Sequence, residues 1–258
     1  MERTPGNETV RRMIRVGTAG WSIPRAVAAQ FPGEGTHLAR YARAMPCAEI
    51  NTSFYRSHAR ATYEKWAGLA PRGFRFAVKL PRAITHEGKL KGARPVLVRF
   101  LGEVAGLGSK LGPLLVQLPP SLAFEARTAR AFFTLLRGLH AGRVVCEPRH
   151  ASWFEPPAQE MLARYQVGQV AADPATAPAA AVPGGWMGKG GRGAGATVYF
   201  RLHGAPKVYW SSYSPQLLAQ WSAQMRALPR SADLWCIFDN TASGAALPNA
   251  LALRELLA

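Results

Sequence analysis

The chain has 258 residues, of which 48% are hydrophobic, so it is long enough for one large domain with a sizeable core. No uninterrupted apolar run approaches the roughly 18 residues that a membrane-spanning helix needs. Lysine and arginine number 32 against 15 acidic residues, and the resulting formal net charge of +17 favours polyanionic partners, nucleic acid first among them.

The excess of positive charge has a second explanation, which stays open. The chain is rich in Ala, Gly, Pro and Arg, as expected when nucleotide composition biases the choice of residues, and its positive residues are scattered along the sequence. Residues 1–13 are polar and lack the apolar segment of a secretion signal, so we expect a flexible N-terminal tail before a cytoplasmic domain at residues 14–258. The three cysteines are far apart and lack metal-type spacing, which is typical of buried thiols in a reducing compartment.

Short apolar strand patterns alternate with amphipathic helix patterns along the chain. In chain order, the predicted strands lie within residues 14–21, 48–55, 74–79, 112–120, 143–147, 167–173, 197–204 and 234–240. The first runs into a glycine-rich turn, the second occupies the beginning of its segment, and the fourth ends at Gln117. The predicted helices cover residues 36–44, 61–70, 95–107, 126–139, 157–165, 214–227 and 249–257. The segment 174–196 is mostly Ala, Gly and Pro, and we expect there a mobile lid or an unstructured insertion. Because a parallel α/β sheet closes at eight strands, the sequence predicts a single (β/α)8 TIM barrel whose sixth helix is weak or missing.

Single residues indicate where some of the predicted helices and strands begin or end. Thr36 and Ser214 have side chains suited to cap helix N-termini, and Pro119 and Pro120 end the fourth strand because proline has no N–H for the ladder. Residues 81–90, between the third strand and the third helix, are predicted to form a loop.

The second strand segment is unusually polar for a buried strand. If strict alternation holds along it, Glu49, Asn51 and Ser53 point to one side of the sheet. Polar residues also close most of the other strands, and in a TIM barrel the loops after the strands form the active-site face. The residues expected around one cavity there are Thr18, Trp21, Glu49, Asn51, Lys79, His86, Gln117, Glu147, Arg149, His150, Asp173, Arg201, His203 and Asn240. Since burying an unpaired charge costs several kcal/mol, these groups must be paired, hydrated or kept for a ligand.

Seven segments form an ordered set of motifs, namely Gly17–Ser22, Glu49–Tyr55, Phe74–Lys79, Ile84–His86, Gln117–Pro120, Glu147–Trp153 and Tyr199–Gly204. Together they resemble the YecE-like family, the domain of unknown function 72. The resemblance runs from about residue 14 to the C-terminus. It implies a TIM barrel with a polar pocket at its C-terminal face, and it implies no reaction, because the family lacks an established activity. The chain departs from the family pattern at Ala19, at Ile23 and at Asp239 with Asn240, where a serine, an aromatic residue and an asparagine pair are usual.

The carboxylates and the metal-ligand types in this set suggest two chemistries. Glu49 and Glu147 are suited to act as general acid and base, as in glycoside hydrolysis, or each is the counter-ion of a nearby cation. The side chains suited to bind a divalent metal are His86, Glu147, His150, Asp173 and His203. A metal therefore stays an alternative, although the neighbouring lysine and arginines would repel a cation, and no cofactor is identified with assurance.

An anionic ligand fits the charges of the set best. Lys79, Arg149 and Arg201 are suited to hold phosphate or carboxylate, and the aromatic residues can stack on a sugar or base. The expected substrate-binding residues are Thr18, Trp21, Asn51, Tyr55, Lys79, His86, Gln117, Arg149, Trp153, Arg201 and Asn240. The expected catalytic residues are Glu49, Glu147, His150, Asp173 and His203. We therefore predict an enzyme, of hydrolase or isomerase type, for a phosphorylated or other anionic small substrate. The alternative is a nucleic-acid-binding protein or an endonuclease-IV-like, metal-dependent phosphodiesterase.

Overall fold

The computed structural model of the protein describes residues 14–188 and 195–258. Within them, ten mostly parallel strands form one sheet that curves into a nearly closed barrel. The strands are β1 (Ile14–Ala19), β2 (Cys47–Ile50), β3 (Arg75–Lys79), β4 (Leu111–Gln117), β5 (Val144–Glu147), β6 (Val167–Gln169), β7 (Ala171–Asp173), β8 (Gly184–Gly185), β9 (Thr197–Leu202) and β10 (Asp233–Phe238). The predicted tail, residues 1–13, and residues 189–194 of the predicted loop lie outside the described residues.

The two ends of the sheet meet at the predicted sixth strand. The strand order is β7-β9-β10-β1-β2-β3-β4-β5-β6-β8, and only the pairing of β6 with β8 is antiparallel. The segment 167–173 is two strands rather than one: β6 pairs with β5, β7 pairs with β9, and Val170 alone separates them. Gly168 permits this approach, because a Cβ atom at this position would lie 2.6 Å from the carbonyl oxygen of Thr197.

Seven α-helices pack around the sheet in the described part of the chain. They are α1 (His37–Ala44), α2 (Arg60–Leu69), α3 (Arg94–Val104), α4 (Ala126–Leu139), α5 (Pro156–Arg164), α6 (Pro215–Ala227) and α7 (Ala246–Leu257). As predicted, Thr36 caps α1 by accepting from the Ala39 N–H at 3.2 Å, and Ser214 caps α6 by accepting from the Leu217 N–H at 3.3 Å. None of the described helices is both long and apolar enough to cross a membrane.

The local structure differs from the predicted elements in several turns. The strand predicted over 48–55 ends at Ile50, and Ser53 lies in a 3-10 turn, where its hydroxyl donates to the carbonyls of Ile50 and Lys79 at 3.0 and 2.7 Å. The alternation expected at Ser53 is therefore wrong. The loop predicted at residues 81–90 contains a π-helical turn at Ala83–Glu87. Other 3-10 turns that the pattern did not predict lie at Arg25–Gln30, Ala105–Lys110, Ala151–Phe154 and Pro178–Ala181.

The C-terminal elements also have different limits. The eighth predicted strand ends at Phe238 instead of residue 240, and the last helix begins at Ala246, three residues before its predicted start. The segment 174–196, predicted to be a mobile lid or an unstructured insertion, contains in its described part a 3-10 turn and β8, which adds to the sheet beside β6. The three cysteines are buried and free, as expected.

The apolar residues form two layers. The inner layer fills the barrel and consists of Cys47, Ala77, Leu115, Val145, Val170, Tyr199, Trp235 and Ile237. The outer layer lies between the sheet and the helices, to which α4 contributes Ala129, Phe132, Phe133 and Leu136, spaced as one face of a helix. On β2, β5 and β9, Glu49, Glu147 and Arg201 each lie two residues after a side chain of the inner layer, nearer the C-terminal ends of the strands.

Candidate functional site

A buried arginine lies at the centre of the polar residues. Arg201, which is 1% exposed, extends from β9 into the barrel. Its Nε and Nη2 donate to the two carboxylate oxygens of Glu49 at 3.0 and 2.7 Å. Its Nη1 donates to Glu147 at 2.7 Å, and its Nη2 also donates to Asp239 at 2.9 Å. The Tyr199 hydroxyl donates to Glu49 at 2.9 Å, so every buried charge in this network has a partner.

Alternation along the strands explains why these side chains meet. Successive inward positions are two residues apart, and the last inward position of β2, β5 and β9 is charged. The inward pairs are Cys47 with Glu49, Val145 with Glu147, and Tyr199 with Arg201. The inward series of β10 runs through Trp235 and Ile237 to Asp239, one residue beyond the end of that strand. The network therefore forms the layer directly above the apolar filling of the barrel.

His203 joins the network two residues after Arg201. Its Nδ1 lies 3.1 Å from Oδ2 of Asp239, and its Nε2 lies 3.0 Å from Oε1 of Glu147 and 2.9 Å from Nη2 of Arg149. A neutral ring with its proton on Nδ1 donates to Asp239 and accepts from Arg149, whereas a protonated ring donates to both carboxylates. The partner of Nε2 therefore changes with the protonation state of the ring, from Arg149 in the neutral form to Glu147 in the protonated form.

The charges of the network reinforce one another. Burial by itself raises the pKa of the Glu147 carboxyl, but Arg201, Arg149 and His203 outweigh burial and hold this pKa well below its usual range. The pKa of Asp239 is lowered in the same way, by Arg201 and His203 acting against burial. Burial lowers the pKa of Arg201, and the three carboxylates outweigh it and raise that pKa well above its usual value. Glu147, Asp239 and Arg201 are therefore all charged at neutral pH.

Lys79 is a buried ammonium group at the end of β3. Its side chain is enclosed, with the residue only 6% exposed, and its Nζ lies 4.0 Å from the centre of the Phe54 ring. Among the described residues, neither a carboxylate nor another hydrogen-bond acceptor contacts Nζ. Burial lowers the pKa of Lys79 to about 8, with the charge of Arg201 acting in the same direction against the carboxylates. At neutral pH most of this ammonium is protonated and has N–H donors to offer.

Two further side chains share the surroundings of Lys79. Burial lowers the pKa of His86, and the charges of Lys79, Arg82 and Arg149 lower it further, so this imidazole is neutral at neutral pH. The ring of His86 packs edge-to-face against Phe54, with 4.8 Å between the ring centres. The Nε of Arg149 is buried and has no hydrogen-bond partner among the described residues. We refer to the charged Lys79 and Arg149, together with the neutral His86, as the cationic cluster.

A cavity of about 520 Å³ lies at the ends of β1 and β2 and the start of α7. Four of the predicted substrate-binding residues line this cavity, namely Thr18, Trp21, Asn51 and Tyr55. Glu49 lines it as well, so the cavity and the buried network share one carboxylate. Its volume falls within the range of about 300–1,000 Å³ that small-molecule sites occupy.

Two predicted site residues face the helix layer and not the barrel interior. The indole N–H of Trp153 donates to the Leu122 carbonyl at 2.9 Å, and its ring is 1% exposed, so Trp153 is not placed to stack on a ligand. The carboxylate of Asp173 accepts from the Tyr213 hydroxyl at 2.6 Å. Val170 faces the barrel interior, and Asp173 lies three residues after it, so alternation directs the Asp173 side chain outward.

Three other predicted residues make local contacts. Asn240 is buried and its Nδ2 donates to Oδ1 of Asn249 at 2.9 Å, which ties the chain after β10 to α7. His150 accepts at Nδ1 from the Ser152 N–H and thereby caps a 3-10 turn. Gln117 lies beside the network in the sheet, but its amide donates to the carbonyl of the next residue at 3.1 Å. None of the three contacts the buried network.

The predicted metal donors are not brought together. Glu147 and His203 contact each other, but His86, His150 and Asp173 each have a separate partner. Across residues 14–188 and 195–258, no group of three or more His, Cys, Asp or Glu side chains is placed to hold a metal ion. The residue types that the sequence offered as possible metal ligands are therefore not gathered into one site in the described part of the chain.

Asp239 and Tyr209 were missed as site residues. Inward alternation from Trp235 and Ile237 identifies Asp239, provided that the register continues past the strand. Tyr209 lies in the loop after β9, and its ring packs perpendicular to that of His203 with 5.5 Å between the ring centres. No periodic signal in the sequence identifies Tyr209, because the loop conformation places it there.

Comparison with known proteins identifies the family of this chain. The family model described as "Protein of unknown function DUF72" matches residues 15–258. The chain belongs to the DUF72 family. This confirms the resemblance that the motifs indicated.

The DUF72 relatives are distant in sequence. UPF0759 protein YunF of Bacillus subtilis is 24% identical over 95% of each chain. UPF0759 protein YecE of Escherichia coli is 29% identical over 149 residues, which are 57% of this chain and 53% of YecE, so that match spans about half of the relative's length. Solved DUF72 structures from Enterococcus faecalis and Thermotoga maritima each have a TM-score of 0.75 and 22% identity over 95% of this chain and 95% and 99% of their own, and these likenesses show the fold.

Proposed function

We propose that this DUF72 protein is a cytoplasmic enzyme that binds an anionic small substrate, such as a phosphorylated compound, at the cationic cluster. In this proposal residues 14–258 form a single (β/α)8 barrel, in which β6 and β7 count together as the sixth strand because one residue separates them. The cluster then lies at the C-terminal ends of the barrel strands, where enzymes of this fold carry their active sites.

The proposal rests on the ammonium group of Lys79, which has no hydrogen-bond acceptor among the described residues. The Lys79 side chain is largely enclosed, but its Nζ is not fully buried and no described residue accepts a hydrogen bond from it, so its N–H donors are free to meet a ligand. Arg149 adds a guanidinium whose Nε is buried and unpartnered. An anion between Lys79, Arg149 and His86 would supply the missing acceptors and would accept charge-assisted hydrogen bonds, which are the stronger kind.

Arg201 has a different role in this proposal from the one expected for it. Its guanidinium already donates to three carboxylates, so few of its N–H groups remain for a substrate. Arg201 instead positions Glu49 and Glu147 and keeps the network charged.

The acid/base chemistry is assigned to His203 and Lys79. A general acid needs a pKa raised towards neutrality, but the pKa of Glu147 is lowered, and so the pairing of Glu49 with Glu147 as acid and base has no support. Nε2 of His203 accepts from Arg149 in the neutral ring and donates to Glu147 in the protonated ring, and the pKa of Lys79 is about 8. These are the two groups of the site best suited to move a proton.

The test is sulfate binding measured by calorimetry, because sulfate does not titrate near neutral pH. We expect Lys79→Met to weaken sulfate binding by about tenfold or more through the loss of a charge-assisted contact. Lys65→Met is the matched control, since Lys65 is exposed on α2 and its loss should leave sulfate binding unchanged. Equal binding by wild type and Lys79→Met, with both folded by circular dichroism, would overturn the proposal.

The net charge of +17 favours nucleic acid as a second candidate ligand. Neutralisation of phosphates by surface lysine and arginine releases counter-ions, so binding of a labelled DNA or RNA oligonucleotide should weaken steeply as salt rises. Undetectable binding, or binding that does not depend on salt, would eliminate this candidate.

A further inference from the structure

The cavity beside Glu49 contains hydrogen-bond acceptors that lack donors. Oδ1 of Asn51 is buried and has no hydrogen-bond partner among the described residues. Oε1 of Glu49 accepts one bond, from Arg201 at 2.7 Å, whereas Oε2 accepts two, from Tyr199 and Arg201. A carboxylate oxygen can accept two hydrogen bonds, so Oε1 has room for another donor. A ligand in this cavity therefore needs to bring hydrogen-bond donors.

The remaining walls are aromatic. Trp21 and Trp66 meet edge-to-face with 5.1 Å between ring centres, and His58 packs on Trp66 at the same distance. Tyr55 stands at the rim with 69% of its surface exposed. Aromatic surface packs well against the C–H groups of a ring, while hydroxyl groups on that ring reach the acceptors.

The charges around the cavity favour a neutral group there. The carboxylate of Glu49 is compensated by the paired N–H groups of Arg201, so it does not attract a cation strongly. Arg56 also lines the cavity, and its charge opposes an ammonium ligand. The same compensation means that Glu49 does not repel an anion strongly, so neither sign of charge is selected by this carboxylate. A neutral group rich in hydroxyls meets all of these conditions.

The cavity is adjacent to the cationic cluster through the backbone. Ile50 on β2 pairs with Val78 on β3. The next residues along the chain, Asn51 and Lys79, are therefore neighbours as well. The hydroxyl of Ser53 donates to the Lys79 carbonyl at 2.7 Å and fixes the turn after β2 against the end of β3. One small molecule with a neutral ring and an anionic group is therefore suited to occupy both places.

We propose that the cavity binds the hydroxyl-bearing ring of a sugar, with Asn51 and Glu49 as acceptors, so that the substrate is a sugar phosphate or a sugar acid. The assignment of the anionic group rests on the function proposed above, whereas the assignment of the ring rests on the cavity alone. The two can be tested separately.

The experiment compares inorganic phosphate with a panel of pentoses and hexoses and their phosphates, by calorimetry on the full chain. We expect at least one sugar phosphate to bind about tenfold or more tightly than inorganic phosphate. Asn51→Leu should abolish this advantage and leave the affinity for phosphate unchanged. Tyr55→Ala removes an exposed ring and should weaken sugar binding without affecting the fold. Gln220→Leu, the same type of exchange at an exposed position of α6, is the control and should change neither affinity.

The outcomes separate the two proposals. If phosphate binds but no sugar phosphate binds more tightly, or if Asn51→Leu keeps the advantage, the sugar assignment is overturned and the anion site stands. If neutral sugars bind in a manner that depends on Asn51 while phosphate does not bind, the sugar assignment stands and the anion site falls. Tetramethylammonium that competes with the sugars would identify the cavity as a cation site and would overturn the sugar assignment.

Discussion

Replacing Arg201 by methionine removes the positive charge that three buried carboxylates share. The effect differs among the carboxylates, because their other partners differ. Glu147 keeps its contact with Arg149, and Asp239 keeps its contact with His203. Glu49 keeps only the Tyr199 hydroxyl, so it becomes a buried carboxylate without a counter-ion.

The expected loss of stability follows from Glu49. Removing one partner of a buried ion pair costs about 3–5 kcal/mol, because the remaining charge stays out of water. Methionine fills much of the space of the arginine side chain, so the cavity contribution is small. We therefore expect Arg201→Met to lower the free energy of unfolding by about 3–5 kcal/mol at pH 7.

The pH dependence provides an independent test of the same reasoning. The pKa values of Glu147 and Asp239 in the folded protein are lowered below those of the unfolded chain, so these groups contribute stability above the unfolded pKa, near about 4. That contribution is lost as pH falls through the lowered folded pKa. Arg201 is a major cause of both pKa shifts. The difference in the free energy of unfolding between wild type and Arg201→Met should therefore be largest at neutral pH and should become smaller in acid.

The assay is urea denaturation followed by tryptophan fluorescence at neutral and acidic pH. Arg60→Met is the matched control, since Arg60 is 63% exposed and its pair with Glu64 is at the surface. Exposed pairs contribute about 0–1 kcal/mol, so the control should stay within that range. Two results would show that Arg201 does not stabilise the network. One is a loss of unfolding free energy below about 1 kcal/mol for Arg201→Met, and the other is a difference from wild type that does not become smaller in acid.

Three further predictions concern single positions. Sulfate affinity should fall as pH rises through about 8, because Lys79 loses its proton there. Gly17→Ala should lower the free energy of unfolding by about 2 kcal/mol or more in urea denaturation, because the new Cβ would lie 2.2 Å from the Cys47 carbonyl oxygen. Tyr213→Phe should cost about 1–3 kcal/mol in the same assay, because the carboxylate of Asp173 loses its hydroxyl donor.

Matched controls exist for each of the three. Lys79→Met should abolish the pH dependence of sulfate binding near 8, and a profile unchanged in that variant would contradict the assignment to Lys79. Gly68→Ala on α2 meets nothing within 4 Å and should not destabilise the fold. Tyr55→Phe alters an exposed residue and should be neutral. Equal stabilities for Gly17→Ala and Gly68→Ala, or for Tyr213→Phe and Tyr55→Phe, would refute the structural reasoning.

The order of the elements could be predicted from sequence because it depends on local patterns. The helix predicted at 126–139 matches α4, since its apolar spacing places one continuous face towards the core. The caps at Thr36 and Ser214 depend only on neighbouring residues. The family motifs, too, are local segments in a fixed order, and the family match over residues 15–258 confirms the resemblance that they indicated.

The convergence of Glu49, Glu147 and Arg201 could also be predicted from the sequence. Parallel strands end on the same side of a sheet, and each of these residues closes an apolar run, so convergence follows from the predicted fold. Alternation places them inward once the strand is known. Alternation does not apply to Ser53, because this residue lies in the 3-10 turn after the end of β2.

Only the tertiary structure decided which charges are paired and which are free. Glu49 and Arg201 are 152 residues apart in sequence, and no local pattern records that this arginine is occupied while Lys79 is not. The same holds for Asp173, whose outward direction depends on where β6 gives way to β7. Residue types and periodicity identify candidates, whereas long-range packing determines their partners, and it is the partners that determine which groups can bind a substrate.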